Sequence, residues 1–316
     1  IATTNIPAFA ALVAHYILKD VKAPSGVSEQ QKKWAEECAK DLEDSAKNGE
    51  AVVVAGAHLA IEVHELVFAL NEALGANGST IQYVEPPAES SHSINFLIES
   101  LQREDPEKKA KTLFILGGNP SYDAPGTLNW AAAQARADKV IRLGYSEDET
   151  ANPEGKKPTF ILQSHYLESW GDGRAWDGTF VPVQPMIEPL FDGFSDIELL
   201  ARLVAEEKPN PHDQVRATFA KISGKSGDRD FNRFLGVGLL KNSSYPVIKE
   251  KPDAAKLANA ISKHNFKPTQ LSKDNLEVRF VPSSHTWDGR FANNGWAQEC
   301  PDPITKVTWD NAITIS

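Results

Sequence analysis

The chain has 316 residues, of which 41% are hydrophobic and 24% are charged, and its formal net charge at pH 7 is -10. This composition is typical of a folded protein with one large domain or two smaller ones, and its acidity argues against a broad nucleic-acid-binding surface. The two cysteines, Cys38 and Cys300, are too few to build a four-cysteine zinc or iron–sulfur site within the chain.

The ends of the chain predict a fragment of a longer protein. It begins with Ile1 rather than Met, and no obvious stop feature precedes Ser316. Residues 6–18 are apolar but too short to cross a membrane, and no basic segment precedes them as in a signal peptide. We therefore expect no direct membrane span, and a targeting signal that was either removed or never present.

The first 49 residues predict a helical segment. Residues 7–19 form one short apolar helix pattern, and Ser28 opens a second helix with Gln31 in the capping-box position. The apolar residues of the second helix have fourfold spacing: Trp34, Cys38 and Leu42. This spacing predicts that Cys38 is a buried core thiol.

Residues 50–194 alternate between strand and helix patterns. The predicted strands cover residues 50–56, 80–84, 112–116, 139–143 and 158–162. The predicted helices cover residues 58–74, 94–102 and 127–137, with a polar loop over 85–93 and a solvated charged connection over 103–111. This order predicts an α/β domain with a mostly parallel sheet flanked by helices.

The pattern changes at residue 195 to helices and irregular segments. Helices are predicted over residues 196–206, 213–222 and 252–264, a short apolar run covers 231–240, and residues 276–281 alternate as a strand does. The sequence therefore predicts three parts: an N-terminal helical segment (1–49), an α/β domain (50–194) and a helical, irregular extension that packs on it (195–316).

A glycine-rich loop follows the strand at 112–116, which is apolar enough for burial on both faces. The loop consists of Gly117, Gly118, Asn119 and Pro120. Open α/β sheets place ligands at such carboxyl ends of strands. Because the loop matches neither GxGxxG nor a Walker motif, two interpretations remain open: a structural turn and a nucleotide-facing loop.

A second dense stretch covers residues 165–179 and leads into residues 184–189. Its charged or titratable side chains are His165, Glu168, Asp172, Arg174 and Asp177. They could supply acid–base chemistry or form a network of charge-assisted hydrogen bonds, and the density of aromatic and glycine residues favours the network. No spacing in the chain indicates a catalytic residue or a metal site, although His58, Glu62 and His64 share one predicted helix.

These motifs resemble the molybdopterin oxidoreductase superfamily. The similarity begins with the strand and its Gly-Gly-Asn-Pro loop, continues through residues 144–151, and ends in a Glu-x-x-Gly loop at Glu168. A more specific resemblance is to the molybdopterin-like domain of the large iron–sulfur subunit of bacterial alternative complex III. It is carried by residues 165–174, 177–179, 184–190 and 294–303. The resemblance covers most of residues 50–316.

The resemblance implies a set of cofactor-binding candidates, because this region of active superfamily members helps to hold the guanosine-dinucleotide arm of a molybdopterin. These candidates are Gly117, Gly118, Asn119, Pro120, Glu168, Gly171, Asp177 and Gly178. The chain departs from the active-member pattern with Asp172 for Thr, Ala175 for Asn, Asp177 for Glu, Thr179 for Arg and Val181 for Gln. Losing that arginine removes a fork of donors suited to anionic partners, so the candidates are expected to be vestigial.

The more specific resemblance, to the subunit of alternative complex III, implies a function without a molybdenum cofactor. We expect a non-catalytic scaffold domain of an iron–sulfur electron-transfer subunit, peripheral on the periplasmic side of the bacterial cytoplasmic membrane. Its partners would be other subunits of a quinol-oxidising respiratory complex and the rest of its own chain, which would carry the iron–sulfur clusters. One alternative is a fragment of an active oxidoreductase that binds molybdopterin guanine dinucleotide. Another is a generic module for a small nucleotide.

Overall fold

A computed structural model describes residues 2–18, 20–85, 92–105, 107, 109–151, 157–204, 208–249 and 254–315, with the backbone alone at 254–256 and 258. The chain forms two compact units, Ile1–Glu85 with Pro246–Phe280, and Pro86–Tyr245 with Val281–Ser316. The three-part division at residues 49 and 194 stays a prediction. Several predicted segments lie partly outside the described residues, at 19, 86–91, 106, 108, 205–206 and 252–253.

Helices dominate the described secondary structure. In chain order they are α1 (Ile6–Ile17), α2 (Glu29–Ala46), α3 (Ile61–Ala73), α4 (Ile94–Gln102), α5 (Pro120–Asp123), α6 (Trp130–Ala135), α7 (Asp196–Leu203), α8 (Pro211–Ser223), α9 (Asp228–Val237), α10 (Ala254–Ser262) and α11 (Gly295–Glu299). The strands are β1 (Thr112–Leu116), β2 (Lys139–Gly144), β3 (Thr159–Leu162), β4 (Gly171–Arg174) and β5 (Phe180–Val183). Among the described helices, none has the combination of length and hydrophobicity needed to cross a membrane.

The first unit is built around α1, which packs against α2 and α3, while α10 packs on α3. The predicted capping box of α2 is confirmed, because the Ser28 hydroxyl accepts from the Gln31 amide and the Gln31 side chain accepts from the Ser28 amide. The buried residues of α2 are small, Ala35 and Ala39, which allows close approach to α1.

The predicted apolar face of α2 is confirmed in part, because Cys38 and Leu42 pack against the cluster that contains Leu12, Val13 and Ala35. Trp34 is 59% exposed and contacts only the edge of the core, with its ring centroid 4.8 Å from that of Phe9. Cys38 is partly buried rather than fully buried, beside the cluster that contains Leu12 and Val13. This partial burial raises the pKa of the Cys38 thiol.

Three predicted strands are wrong. Residues 51–56 have no regular secondary structure, and the Asn71 side chain takes the place of a neighbouring strand at Val53. Asn71 accepts from the Val53 amide at 2.9 Å and donates to the Val53 carbonyl at 2.8 Å. Residues 80–84 form only isolated bridges. Residues 276–281 have no strand partner among the described residues, and Phe280 is 95% exposed.

The second unit contains a three-stranded parallel sheet in the order β1-β2-β3. This result confirms the α/β class and a parallel sheet. Leu113 and Ile115 of β1 are buried in a cluster with residues of α4 and α6. The expectation that β1 is buried on both faces is wrong, because Phe114 is only partly buried and Leu116 is 38% exposed.

An antiparallel hairpin of β4 and β5 follows the sheet, and neither strand is predicted from the sequence. Phe180 of β5 packs against Phe219 of α8 and Phe231 and Phe234 of α9. The Phe180 and Phe234 rings stack with centroids 5.3 Å apart. This aromatic cluster fixes the position of the hairpin on the helices of the C-terminal part.

Candidate functional site

The glycine-rich loop lies at the carboxyl end of β1, as predicted. Gly117 and Gly118 have φ angles of +67° and +66°, a left-handed conformation that glycine adopts without steric cost. The Gly117 amide donates to the Leu143 carbonyl at 3.0 Å, which extends the β1–β2 ladder into the loop. A Cβ atom at Gly118 would meet nothing within 4 Å, so the outer side of the loop is open.

The Arg142 side chain closes the inner side of this loop. It projects from β2 and is 3% exposed. Its guanidinium donates to the carbonyls of Gly117 at 2.8 Å, Gly118 at 2.5 Å and Leu143 at 3.0 Å. It also forms an ion pair with Asp148, with 2.6 Å between Nη2 and Oδ2. The charge nearest to the loop carbonyls is thus already neutralised within the protein.

The acidic loop after β2 completes the same network. The Thr150 hydroxyl, which is fully buried, donates to Asn119 Oδ1 at 2.6 Å and accepts from the Ser121 amide at 3.0 Å. Asn119 Nδ2 donates to Glu149 Oε2 at 2.7 Å. Both ends of the Asn119 side chain are therefore bonded to the protein, and a carboxylate lies directly against the loop.

This arrangement does not fit the diphosphate of a pterin guanine dinucleotide. A diphosphate site needs free N–H donors and a positive potential. Here Nη1 and Nη2 of Arg142 are bonded to carbonyls and to Asp148, the buried Nε of Arg142 has no hydrogen-bond partner among the described residues, and the exposed carboxylate of Glu149 adds negative charge. A carboxylate beside the loop would repel a phosphate bound there.

Glu168 fastens two segments of the second stretch to each other. Its Oε2 atom accepts from the His165 amide at 3.0 Å, and its Oε1 atom accepts from the Leu190 amide at 3.4 Å. The Leu167 carbonyl accepts from the amides of Met186 at 2.7 Å and Ile187 at 3.1 Å. The Glu168 carboxylate is therefore engaged in holding residues 165–168 against residues 186–190.

Asp177 and Gly178 form the turn of the β4–β5 hairpin. The Asp177 carboxylate accepts from the Thr179 amide at 2.9 Å and from the Thr179 hydroxyl at 2.8 Å, and these bonds lower the pKa of Asp177. Gly178 has a φ of +87°, and a Cβ atom there would lie 2.5 Å from the Tyr245 ring. The Arg174 guanidinium donates to the Gly178 carbonyl and lies over the same ring, 5.3 Å from its centroid.

Gly171 and Asp172 begin β4. Gly171 pairs with Val183, and Asp172 pairs with Pro182. Burial raises the pKa of the Asp172 carboxyl, while hydrogen bonding to Thr218 and the charge of Arg174 act in the opposite direction. These residues serve the packing of the hairpin against α8.

The structure places the eight predicted candidates in two separate networks of the second unit. One contains Gly117, Gly118, Asn119 and Pro120, and the other contains Glu168, Gly171, Asp177 and Gly178. Within the described parts of the chain, no hydrogen bond joins the two groups. Their role as cofactor contacts stays a prediction.

The residues that organise the first network were missed by the sequence interpretation. The sequence places Arg142 in the predicted strand at 139–143 and Asp148 in an acidic loop at 147–149, and it assigns no role to Thr150. One signal was present: Arg142 interrupts the apolar run of its strand, and a charge that is buried there requires a partner. The acidic run that begins three residues after the strand contains that partner, Asp148.

The described residues contain no group of three or more histidine, cysteine, aspartate or glutamate side chains placed to hold a metal ion. His58 and His64 do not converge. The His58 ring instead contacts the Arg279 guanidinium, with 3.1 Å between Nε2 and Nη2.

The resemblance to known proteins rests on the motifs alone. No protein-family model matches the chain, and no curated protein is significantly similar to it.

Proposed function

We propose that the chain is a non-catalytic scaffold domain, similar to molybdopterin oxidoreductases, in the iron–sulfur subunit of a membrane-bound quinol-oxidising respiratory complex. In this role it holds no molybdenum cofactor. It docks neighbouring subunits on the periplasmic side of the membrane and positions the cluster-bearing part of its own chain. The proposal is supported by the motifs that resemble the iron–sulfur subunit of alternative complex III, at residues 165–174, 177–179, 184–190 and 294–303.

The main support for the proposed lack of cofactor binding is that Arg142 closes the inner side of the glycine-rich loop. Its guanidinium bonds the carbonyls of Gly117 and Gly118 and pairs with Asp148. Arg142 could offer its Nη atoms to a diphosphate at the loop only by leaving this pair, in which Arg142 is buried and Asp148 is partly buried. Breaking such a pair costs about 3–5 kcal/mol, which corresponds to a loss of roughly 10²–10⁴-fold in affinity.

A test is the activity of the complex from cells that cannot make molybdenum cofactor. We expect full assembly and quinol oxidation equal to that of the complex from normal cells, because no step uses the cofactor. A molybdenum enzyme of the same cells serves as the control and should lose its activity. Loss of quinol oxidation together with the control enzyme would contradict the proposal.

The rival function, a cofactor-binding or nucleotide-binding domain, is favoured by one observation. The backbone at Gly118 is left-handed, with open space where a side chain would lie. This rival predicts binding of guanosine diphosphate, which is the phosphate-bearing arm of the pterin dinucleotide. We expect calorimetric titration of the chain with guanosine diphosphate to give no heat of binding, and a saturable heat would favour the rival.

A further inference from the structure

Six large apolar side chains are exposed on two adjoining segments of the second unit, and we call them the 166–191 patch. They are Tyr166 (60% exposed), Leu167 (39%), Met186 (76%), Ile187 (49%), Leu190 (65%) and Phe191 (74%). Scattered single apolar residues are normal on protein surfaces, whereas exposed apolar residues grouped on two segments that hydrogen bonds hold together are typical of an interaction site.

The backbone beneath the patch is ordered by its own hydrogen bonds. The Leu167 carbonyl binds the amides of Met186 and Ile187, and Glu168 links the amides of His165 and Leu190. Two prolines in the second segment, Pro185 and Pro189, fix their φ angles. A surface held in this way loses little conformational entropy on binding, which favours a specific partner.

The charges near the patch indicate what kind of partner fits. From residue 175 to residue 201 the sequence contains no lysine or arginine, and its carboxylates there are Asp177, Glu188, Asp192, Asp196 and Glu198. One cation, Arg202, lies near the end of the second segment, with its guanidinium 5.1 Å from the centroid of the Phe194 ring. Glu188 and Asp192 are exposed and lie within the second segment of the patch. This acidic rim repels anionic lipid and also repels the same face of a second copy, and it attracts a surface with a basic rim.

We propose that the 166–191 patch docks a different protein subunit, whose contact surface has an apolar centre and a rim of lysine or arginine. The inference rests on the proposed function and deepens it by naming the surface through which the scaffold binds a neighbour. A stable interface covers about 800 Å² on each partner. The six side chains supply its apolar centre, and Glu188 and Asp192 supply its charged edge.

Zero-length carboxyl–amine crosslinking of the intact complex gives the first test. It joins only groups in direct contact, so Glu188 and Asp192 should be linked to lysines of another subunit. Mixing isotopically labelled and unlabelled protein separates links to a second copy from links within one chain. Links only to a second copy, only within the chain, or none at these two residues would overturn the inference.

A double variant of the tagged full-length protein, Met186→Gln with Phe191→Ser, gives the second test. We expect at least a tenfold loss of one co-purifying subunit, the same one that the crosslinks identify, with an unchanged circular dichroism spectrum. The matched control is Trp176→Ser, which removes a fully exposed aromatic residue outside the patch and should retain every subunit. Retention of all subunits by the double variant would overturn the inference.

Two further readouts separate this inference from its rivals and from the proposed function. If the double variant loses binding to phosphatidylglycerol vesicles and keeps its subunits, the patch is a membrane surface and the inference is wrong. Molybdenum content measured in the same preparation tests the proposed function independently. A complex that contains molybdenum but loses a subunit with the double variant would refute the scaffold role and support the docking surface.

Discussion

The two loops that the resemblance assigns to one cofactor site are both held by a single charged side chain, but they use it differently. Arg142 is buried, donates to loop carbonyls and is neutralised by Asp148. Glu168 is only partly buried, accepts from two amides, and has no cation paired with it among the described residues. The first loop turns its polar groups inward, whereas the second presents apolar side chains outward. A charged side chain therefore closes the glycine-rich loop in one case, and in the other it holds a segment whose apolar side chains are exposed.

The largest expected effect comes from removing the closure of the first loop. Arg142→Met would leave the partly buried Asp148 without its cationic partner and the carbonyls of Gly117 and Gly118 without the guanidinium donor. We expect the free energy of unfolding to fall by about 3–5 kcal/mol, measured by urea denaturation. Lys139→Met is the matched control, because Lys139 lies on the same strand but is exposed, and it should change stability by less than about 0.5 kcal/mol. Equal effects of the two substitutions would show that the Arg142 network does not stabilise the loop.

The glycines of the two loops allow a second comparison. Alanine at Gly118 would have a left-handed backbone in open space, whereas alanine at Gly178 would also place Cβ 2.5 Å from the Tyr245 ring. We expect Gly118→Ala to cost about 1–2 kcal/mol of stability and Gly178→Ala about 1–3 kcal/mol more, from thermal or urea unfolding. A smaller loss for Gly178→Ala than for Gly118→Ala would contradict the close contact with Tyr245.

A smaller effect is expected from weakening the Glu168 contact. Glu168→Gln keeps the shape of the side chain but loses its negative charge and one acceptor, so stability should fall by about 1–2 kcal/mol. Hydrogen exchange should become faster at the amides of His165 and Leu190, which bind the carboxylate. Glu188→Gln is an exposed control on the same segment and should leave both exchange rates unchanged. Unchanged protection in Glu168→Gln would refute the role of Glu168 as a link.

The smallest expected effect is a pH dependence of the folding stability that comes from Asp172 in the β4–β5 hairpin. Because burial raises the pKa of Asp172, its contribution to stability is present below the unfolded-state pKa and is lost as pH rises through the higher folded-state pKa. Asp172→Asn has no carboxyl group to titrate, so its stability relative to wild type should increase as pH rises from about 3 to 7. A relative stability that falls over this pH range would contradict the burial of Asp172.

Local signals predicted much of the fold. The Ser28–Gln31 capping box marked the start of α2, and short apolar runs marked β1, β2 and β3. The false strand at 50–56 has strong β propensity, but strand pairing depends on distant residues, and the Asn71 side chain took the place of a partner strand. Propensity alone does not reveal such a substitution.

The candidate site was predicted only in part, for the same reason. The glycine-rich loop was recognisable from its residues, but Arg142 closes it from the next strand and Thr150 from the loop after that strand. The patch was not recognised because exposed apolar residues such as Met186 and Phe191 have the same sequence pattern as core residues. Only the folded arrangement shows which apolar side chains lack a covering partner.

Elemental analysis of the full-length protein, purified in its native complex, tests most directly whether the closed loop has lost its cofactor. We predict molybdenum and tungsten far below one atom per chain, together with iron from the clusters carried elsewhere in the protein. About one molybdenum or tungsten atom per chain would contradict the scaffold role and would make Gly117–Pro120 and Glu168–Gly178 the first contacts to mutate.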